Sequence, residues 1–314
     1  MGKIVDTTAL VEVGTQFSMA FLNAFRSADS SRKLYDMLSG GKSYPSNARK
    51  TKYPILGQLT GLREWIGERY YEDLARYVYE LENRTFEKSV EVPVNDYQDD
   101  QLDAYVGIPE EIGRQAHLWP EDLILAKLQN ATPSAGAAGL CFDGQHFFDT
   151  DHPVDMALTG STTYANRFTT TALSSANFTT VLAAMQQIKG RDGRPLGFGD
   201  PSKRRLIVPP QLREVGKQIV EADYLSSGAT NVNKGEAQLV VVERLGNEGT
   251  VWYLADVSRP TIFFQTREEP NHVGPGFDGG FDPARFERDV IRWGIKARGA
   301  AGFGCPWGIA RAEA

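Results

Sequence analysis

The sequence is short of the groups on which most protein chemistry depends. Its 314 residues hold two cysteines, Cys141 and Cys305, and four histidines. The cysteines lie far apart in the chain, which fits free thiols in a reducing compartment better than a structural disulfide. No apolar run approaches the roughly 20 residues of a membrane span. The N-terminus lacks the basic start, apolar centre and small-residue cleavage site of a secretory signal. We therefore expect no membrane partner and no leader. Positive charge is also in deficit: the net charge of −6 argues against tight, non-specific nucleic-acid binding by the whole surface. Catalytic signatures are missing as well. There is no His-Glu-x-x-His and no Gly-x-Ser-x-Gly elbow. Gly40-Gly41-Lys42-Ser43 lacks the glycine spacing and upstream strand of a phosphate-binding loop. Gly190 to Gly199 has the order of a turn and loop rather than a dinucleotide fingerprint. Cys141, between Leu140 and Phe142, reads as a small buried apolar residue.

What is present is a globular composition, 41% hydrophobic and 24% charged, in a chain long enough for about two domains. Its organising stretch runs from Phe86 to Asn130. Phe86, Val90, Val92 and Val94 alternate with polar residues, which predicts a strand with one wet face. Asn95 to Asp100 predicts a turn, because Asn and Asp side chains bond to nearby backbone. A helix follows, with Pro109, Glu110 and Glu111 suited to a first turn. Ile112, Ala116, Trp119, Leu123, Ile124 and Leu128 continue it past Pro120, which is expected to kink or restart it. Nearly continuous, this spine is about 40 Å long at about 1.5 Å per residue.

Residues 7 to 26 predict an amphipathic helix with Leu10, Val13, Phe17, Phe21, Ala24 and Phe25 on one face. The segment after it is too poor in large apolar residues to form a core of its own. From Arg26 to Lys52 seven basic residues face two acidic ones, a net +5 that leaves −11 on the rest. Such a basic arm suits docking on the acidic body of another copy, with a solvated linker as the alternative. Arg32, Lys33, Arg49, Lys50 and Lys52 are its candidate contact residues. Trp65, Tyr70, Tyr71, Tyr77 and Tyr79 crowd the next section. Tyrosine pairs apolar area with a polar tip and so suits interfaces; an ordinary β-rich edge is the alternative. Further on, Ser174 or Ser175 caps a helix carrying Phe178, Val181, Leu182, Met185 and Ile188. Short strands are expected at Leu206 to Val208, Leu239 to Val242, Val251 to Leu254 and Thr261 to Thr266. A last long strand is expected from Arg285 to Ala297, with Ile291, Trp293 and Ile295 on one face.

His146, Asp149, Asp151 and His152, with Asp143 and Asp155 nearby, are the weak candidates for a metal site. Imidazole and carboxylate are suitable ligands, but no metal-site spacing is present. Asp151-His152-Pro153 fits a capped turn into extended chain better. No catalytic residue and no cofactor is expected.

Three stretches together carry a resemblance: Leu62-Arg63-Glu64-Trp65-Ile66-Gly67, Asn95-Asp96-Tyr97-Gln98-Asp99-Asp100, and Cys141 to Pro153. With the ending Ala297 to Gly304, they resemble the Mu-like phage major head subunit, or gpT-like, family. The resemblance implies an α+β chain with the Hong Kong 97-type capsid fold. It implies an N-terminal arm (1–52), an extended β-hairpin loop with its return strand (53–100), a peripheral domain with the long spine helix (101–172 and 256–314), and an axial α/β domain (173–255). The implied role is structural: a non-enzymatic major capsid protein of a Mu-like tailed phage or prophage, self-assembling as hexamers and pentamers. The resulting icosahedral shell would enclose double-stranded DNA without sequence-specific binding. Scaffold and portal proteins, and decoration proteins, are the implied partners. The implied location is the virion, and the host cytoplasm during assembly. The rivals are a nanocompartment shell of the same fold and a metal-dependent hydrolase built on His146, Asp149, Asp151 and His152.

Overall fold

The computed structural model describes residues 7–28, 32–56, 76–98, 103–156, 160–224, 228–273 and 283–314. Helix α1 (Thr7–Ser27) matches the N-terminal periodicity. A short helix α2 (Lys33–Leu38) and strand β1 (Ser43–Pro45) follow. Strands β2 (Lys50–Leu56) and β3 (Arg76–Glu82) pair antiparallel as a two-stranded ribbon. Strand β4 (Arg84–Pro93) then returns along the body.

The turn expected at Asn95 to Asp100 begins within a one-turn helix, α3 (Val94–Gln98). Helix α4 then runs without interruption from Asp103 to Gln129, with Pro109 and Pro120 both inside it. Proline deletes one backbone donor and crowds the preceding turn, yet the helix does not restart at Pro120. Packing on both sides explains this: Ile112 and Ala116 are buried before it, Ile124 and Leu128 after it. The 27 residues give a rod of about 40 Å.

Short extended pieces β5 (His152–Pro153), β6 (Thr163–Tyr164) and β7 (Arg167–Phe168) lead into helix α5 (Ser175–Gln186). The Ser174 hydroxyl caps α5, accepting from the Asn177 N–H at 3.2 Å. Strand β8 (Arg204–Val208), helix α6 (Arg213–Val220), and strands β9 (Gln238–Val241) and β10 (Val251–Asp256) complete the middle of the chain. Strand β11 (Ile262–His272), helix α7 (Pro283–Arg288), and strands β12 (Val290–Phe303) and β13 (Ile309–Glu313) close it. The strand expected from Arg285 thus begins at Val290, its first residues being helical, and extends to Phe303.

Two sheets carry the cores. The first has the order β1-β11-β12-β4, with α4 and α1 stacked on it. Its long strands are in register from Val290 opposite Pro93 to Gly299 opposite Arg84. Phe17 and Phe21 of α1 pack with Val92, Val94, Ile112, Ala116, Ile291, Trp293 and Ile295. The face of α1 that called for a partner therefore finds one in its own chain. The contact is close enough that a Cβ on Gly113 would lie 2.6 Å from the Phe21 carbonyl oxygen. The second sheet has the order β7-β13-β10-β8-β9. Its core takes Phe178, Val181, Leu182 and Met185 from α5, and Ile219 and Val220 from α6.

Contacts cross two of the expected boundaries. β13 pairs with β10 and β7 with β13, and Ala310 and Ala312 lie in the core of the second sheet. The arm also reaches into a core. Leu34, Tyr35 and Leu38 are buried in the core that also holds Ile124, Leu128, Phe147, Phe148, Tyr253 and Phe303. Six well-placed residues are enough to join a core that a whole segment is too polar to build.

Candidate functional site

The candidate metal residues do not converge. His152 is fully buried, its Nδ1 2.6 Å from Asp143 Oδ2, and its ring stacks on Tyr164 at 5.1 Å. His146 lies elsewhere, its Nδ1 3.4 Å from Asp149 Oδ2 and its Nε2 3.2 Å from the Gly136 carbonyl. Asp149 Oδ1 also accepts from the Thr150 N–H at 2.9 Å. Asp151 is exposed, and Asp155 pairs with Arg191 at 3.2 Å. Among the described residues no group of three or more histidine, cysteine or acidic side chains could hold a metal ion. His146 and His152 are each paired with an aspartate of the same turn-rich stretch. Cys141 is buried, and burial pushes its thiol well above the usual range, so it is no ready nucleophile.

The candidate contact residues divide. Lys33 Nζ donates to the Val241 carbonyl at 2.7 Å and pairs with Glu243 at 2.8 Å. Arg49 and Lys50 pair with Glu82 at 2.8 and 3.8 Å, and Lys52 with Glu80 at 3.1 Å. The register explains these contacts, since Lys50 lies opposite Glu82 and Lys52 opposite Glu80. Arg32 lies 4.8 Å from the centre of the Tyr35 ring. Within the chain, the arm's basic residues thus meet acidic side chains of the same subunit. Tyr79 also turns inward: its hydroxyl accepts from the Phe303 N–H at 3.3 Å, and its ring lies 6.2 Å from that of Phe263. Burial raises its pKa to about 12. Tyr53, across the ribbon from Tyr79, donates to Gln265 Oε1 at 2.5 Å. These two tyrosines pin the base of the ribbon to the first sheet. Tyr77 lies on β3 opposite Ile55. Trp65, Tyr70 and Tyr71 lie outside the described residues.

Glu121 follows Pro120 inside α4. It is 2% exposed, and its two carboxylate oxygens accept from the N–H groups of Leu34 at 3.0 Å and Tyr35 at 2.7 Å. The spine thus supplies the cap that α2 lacks. Nothing in local sequence marks such a contact, 87 residues away; only the unusual Pro-Glu-Asp inside a helix hints at it. Burial raises the Glu121 pKa above its ordinary 4.5, outweighing the two N–H groups that lower it. A folded-state pKa above the unfolded one gives stability that is full below about pH 4.5 and is lost as pH rises through the raised value. Glu121→Gln removes that titration and opposes an amide N–H to a backbone N–H. The variant's stability deficit, measured by urea unfolding, is therefore expected to be largest near pH 4.5 and to shrink as pH rises. A deficit independent of pH would contradict it.

A two-sheet α+β body with a two-stranded ribbon and a long helix across one sheet is the Hong Kong 97-type fold of phage capsid proteins. The chain is similar to a chain in the procapsid of bacteriophage JBD30, at 26% identity and a TM-score of 0.59, covering 99% of this chain and 76% of that one. The likeness to the bacteriophage JBD30 capsid has the same identity and a TM-score of 0.56, over 70% of this chain and 93% of the other. Likeness to the mature capsid of bacteriophage PhiM1, with a TM-score of 0.54 at 13% identity over 91% of this chain and 87% of that one, is one of fold alone. The profile of the family described as Mu-like prophage major head subunit gpT matches residues 10–172, 162–245 and 243–313. The chain belongs to that family. It is 38% identical over 109 residues to the major capsid protein of Escherichia phage Mu, a match covering 35% of this chain and 34% of that protein. It is 36% identical over 116 residues to the Mu-like prophage FluMu major head subunit of Haemophilus influenzae, over 37% of this chain and 36% of that protein. The matched stretch thus spans about a third of each of these two relatives.

Proposed function

We propose that the chain is a major capsid protein of a Mu-like tailed phage or prophage. Its copies form hexamers and pentamers that close into an icosahedral shell around double-stranded DNA. The observation that carries this reading is the likeness of 99% of the chain to a procapsid subunit, within the family to which the chain belongs. Physical features support it. A two-stranded ribbon is marginal by itself, so the part of β2–β3 beyond Tyr53 and Tyr79 gains packing from neighbours. Val78, on that ribbon, is 54% exposed. Trp65, Tyr70, Tyr71 and Tyr77 are the proposed contacts there, with Arg32 at the arm. Lys33, Arg49, Lys50, Lys52 and Tyr79, being engaged within the chain, act on assembly by holding the ribbon and arm in place. An acidic chain does not bind phosphate tightly, which leaves DNA free to be packed.

Scaffold and portal proteins belong to the proposal as assembly partners in the host cytoplasm, and the virion as the final location. One solved JBD30 capsid is described as decorated with minor capsid protein trimers; decoration proteins are proposed here by that analogy. The proposal expects the purified full chain, or the chain expressed with its scaffold protein, to give closed shells in negative-stain images. A chain that stays monomeric under both conditions at high concentration overturns it. Deleting residues 1–52 is not a clean test of assembly, since it strips Leu34, Tyr35 and Leu38 from the core. Deleting only residues 1–28 spares that core. The shorter deletion is expected to yield a folded subunit that exposes the apolar trough of Ile112 and Trp293.

A further inference from the structure

Three parts of the chain meet at one corner. Leu34 and Tyr35 of α2 give their N–H groups to Glu121 of α4. Lys33, one residue earlier, reaches the Val241 carbonyl and the Glu243 carboxylate, both at the β9 end of the second sheet. Arg244, one residue after Glu243, returns to pair with Asp122, one residue after Glu121. Consecutive residues on each of three elements thus point to the other two. Beneath these polar contacts Leu34, Tyr35 and Leu38 share a core with Ile124 and Leu128 of the spine and with Val242 and Leu245. The corner lies directly after Pro120, the point where α4 lacks a backbone donor.

We propose that α2 is a latch that ties the second sheet to the spine helix and opens as one unit while both sheets stay folded. Three observations carry this beyond ordinary packing. A six-residue helix is too short to persist alone, so α2 exists only while its cap and its wedge contacts hold. Its polar link to the second sheet is the set of Lys33 contacts at this corner, above a core that Leu34, Tyr35 and Leu38 share with Val242, Leu245 and Tyr253. The corner's outer ion pairs are half-exposed, with Glu243 68% and Arg244 42% exposed at the side chain, whereas the sheets beyond it are held by buried strands. Exposed polar bonds mark segments that open locally, below the free energy of global unfolding.

The experiment is amide hydrogen exchange, read by mass spectrometry, on the soluble full-length chain, so it does not depend on whether shells form. The double variant Lys33→Ala/Arg244→Ala removes both arms of the clasp from the surface. It is expected to accelerate exchange at least tenfold in peptides covering residues 33–38 and 241–248. Peptides from the centres of β10 and β12 are expected to keep wild-type rates. Glu121→Ala is expected to act on the same peptides more strongly; should it fail to fold, the surface variant alone decides. Arg288→Ala, which removes the surface pair with Glu91, is expected to leave residues 33–38 unchanged. Wild-type rates at the latch in the double variant overturn the proposal. So does equal acceleration in β10 and β12, which would mean the corner contributes only to global stability.

Discussion

Phe148→Ala is expected to destabilise the subunit by about 3–5 kcal/mol. The side chain is fully buried where the two sheets meet. Its ring lies 5.1 Å from that of Phe147 and 5.7 Å from that of Tyr253. Phe147 in turn stacks on Phe303 at 4.5 Å, so one truncation opens a void beside Tyr253 and loosens the ring that packs on Phe303. The surroundings cannot close over it cheaply. The Phe148 N–H donates to the Ala131 carbonyl at 2.8 Å and the Phe147 N–H to the Gly139 carbonyl at 2.9 Å, which pins the backbone on both sides. Urea unfolding with an unchanged m-value would read the loss directly. A melting curve like that of the wild type would remove Phe148 from the core.

That residue was legible from sequence because a pair of adjacent phenylalanines in a turn-rich stretch has few places to go but inward. The same logic worked wherever periodicity speaks for burial. Phe17 and Phe21, Val92 and Val94, Phe178, Val181, Leu182 and Met185, and Ile291, Trp293 and Ile295 are all buried on the faces their spacing predicts. Elements whose fate depends on remote partners were not legible. Composition shows that the arm is basic, but not that Glu80, Glu82 and Glu243 of the same chain lie within reach of it. β13 escaped notice since Ile309 to Glu313 is short and alanine-rich, and only the slot between β7 and β10 makes it a strand. The helix ran through Pro120 because burial on both flanks outweighs the lost hydrogen bond.

The second large effect comes from a residue that periodicity does not mark at all. Arg204→Met is expected to cost about 3 kcal/mol, the lower end of the range for breaking a buried charge pair. The Arg204 side chain is 3% exposed, and its Nη1 pairs with Glu236 at 2.5 Å. Its Nε and Nη2 both donate to the Phe198 carbonyl, at 3.0 and 2.7 Å. That carbonyl keeps one other donor, Gln186 Nε2 at 3.1 Å. Phe198 is fully buried at φ +61°, a left-handed conformation unfavourable by about 1–2 kcal/mol for a residue with a Cβ. Asp256 holds it from the other side, accepting from the Phe198 N–H at 2.6 Å. Methionine fills much of the volume and leaves that conformation without its main clamp. The loss stays at the lower end because the Glu236 side chain is 39% exposed and can turn to water. Arg204→Lys restores the charge but not the fork, so it is expected to fall between wild type and Arg204→Met. The surface pair Arg288–Glu91, 55% and 42% exposed, sets the scale: Arg288→Ala is expected to cost no more than about 1 kcal/mol. If Arg204→Met and Arg288→Ala prove equally mild in chemical denaturation, the left-handed turn at Phe198 is held by Asp256, Gln186 and packing, and the guanidinium is incidental to it.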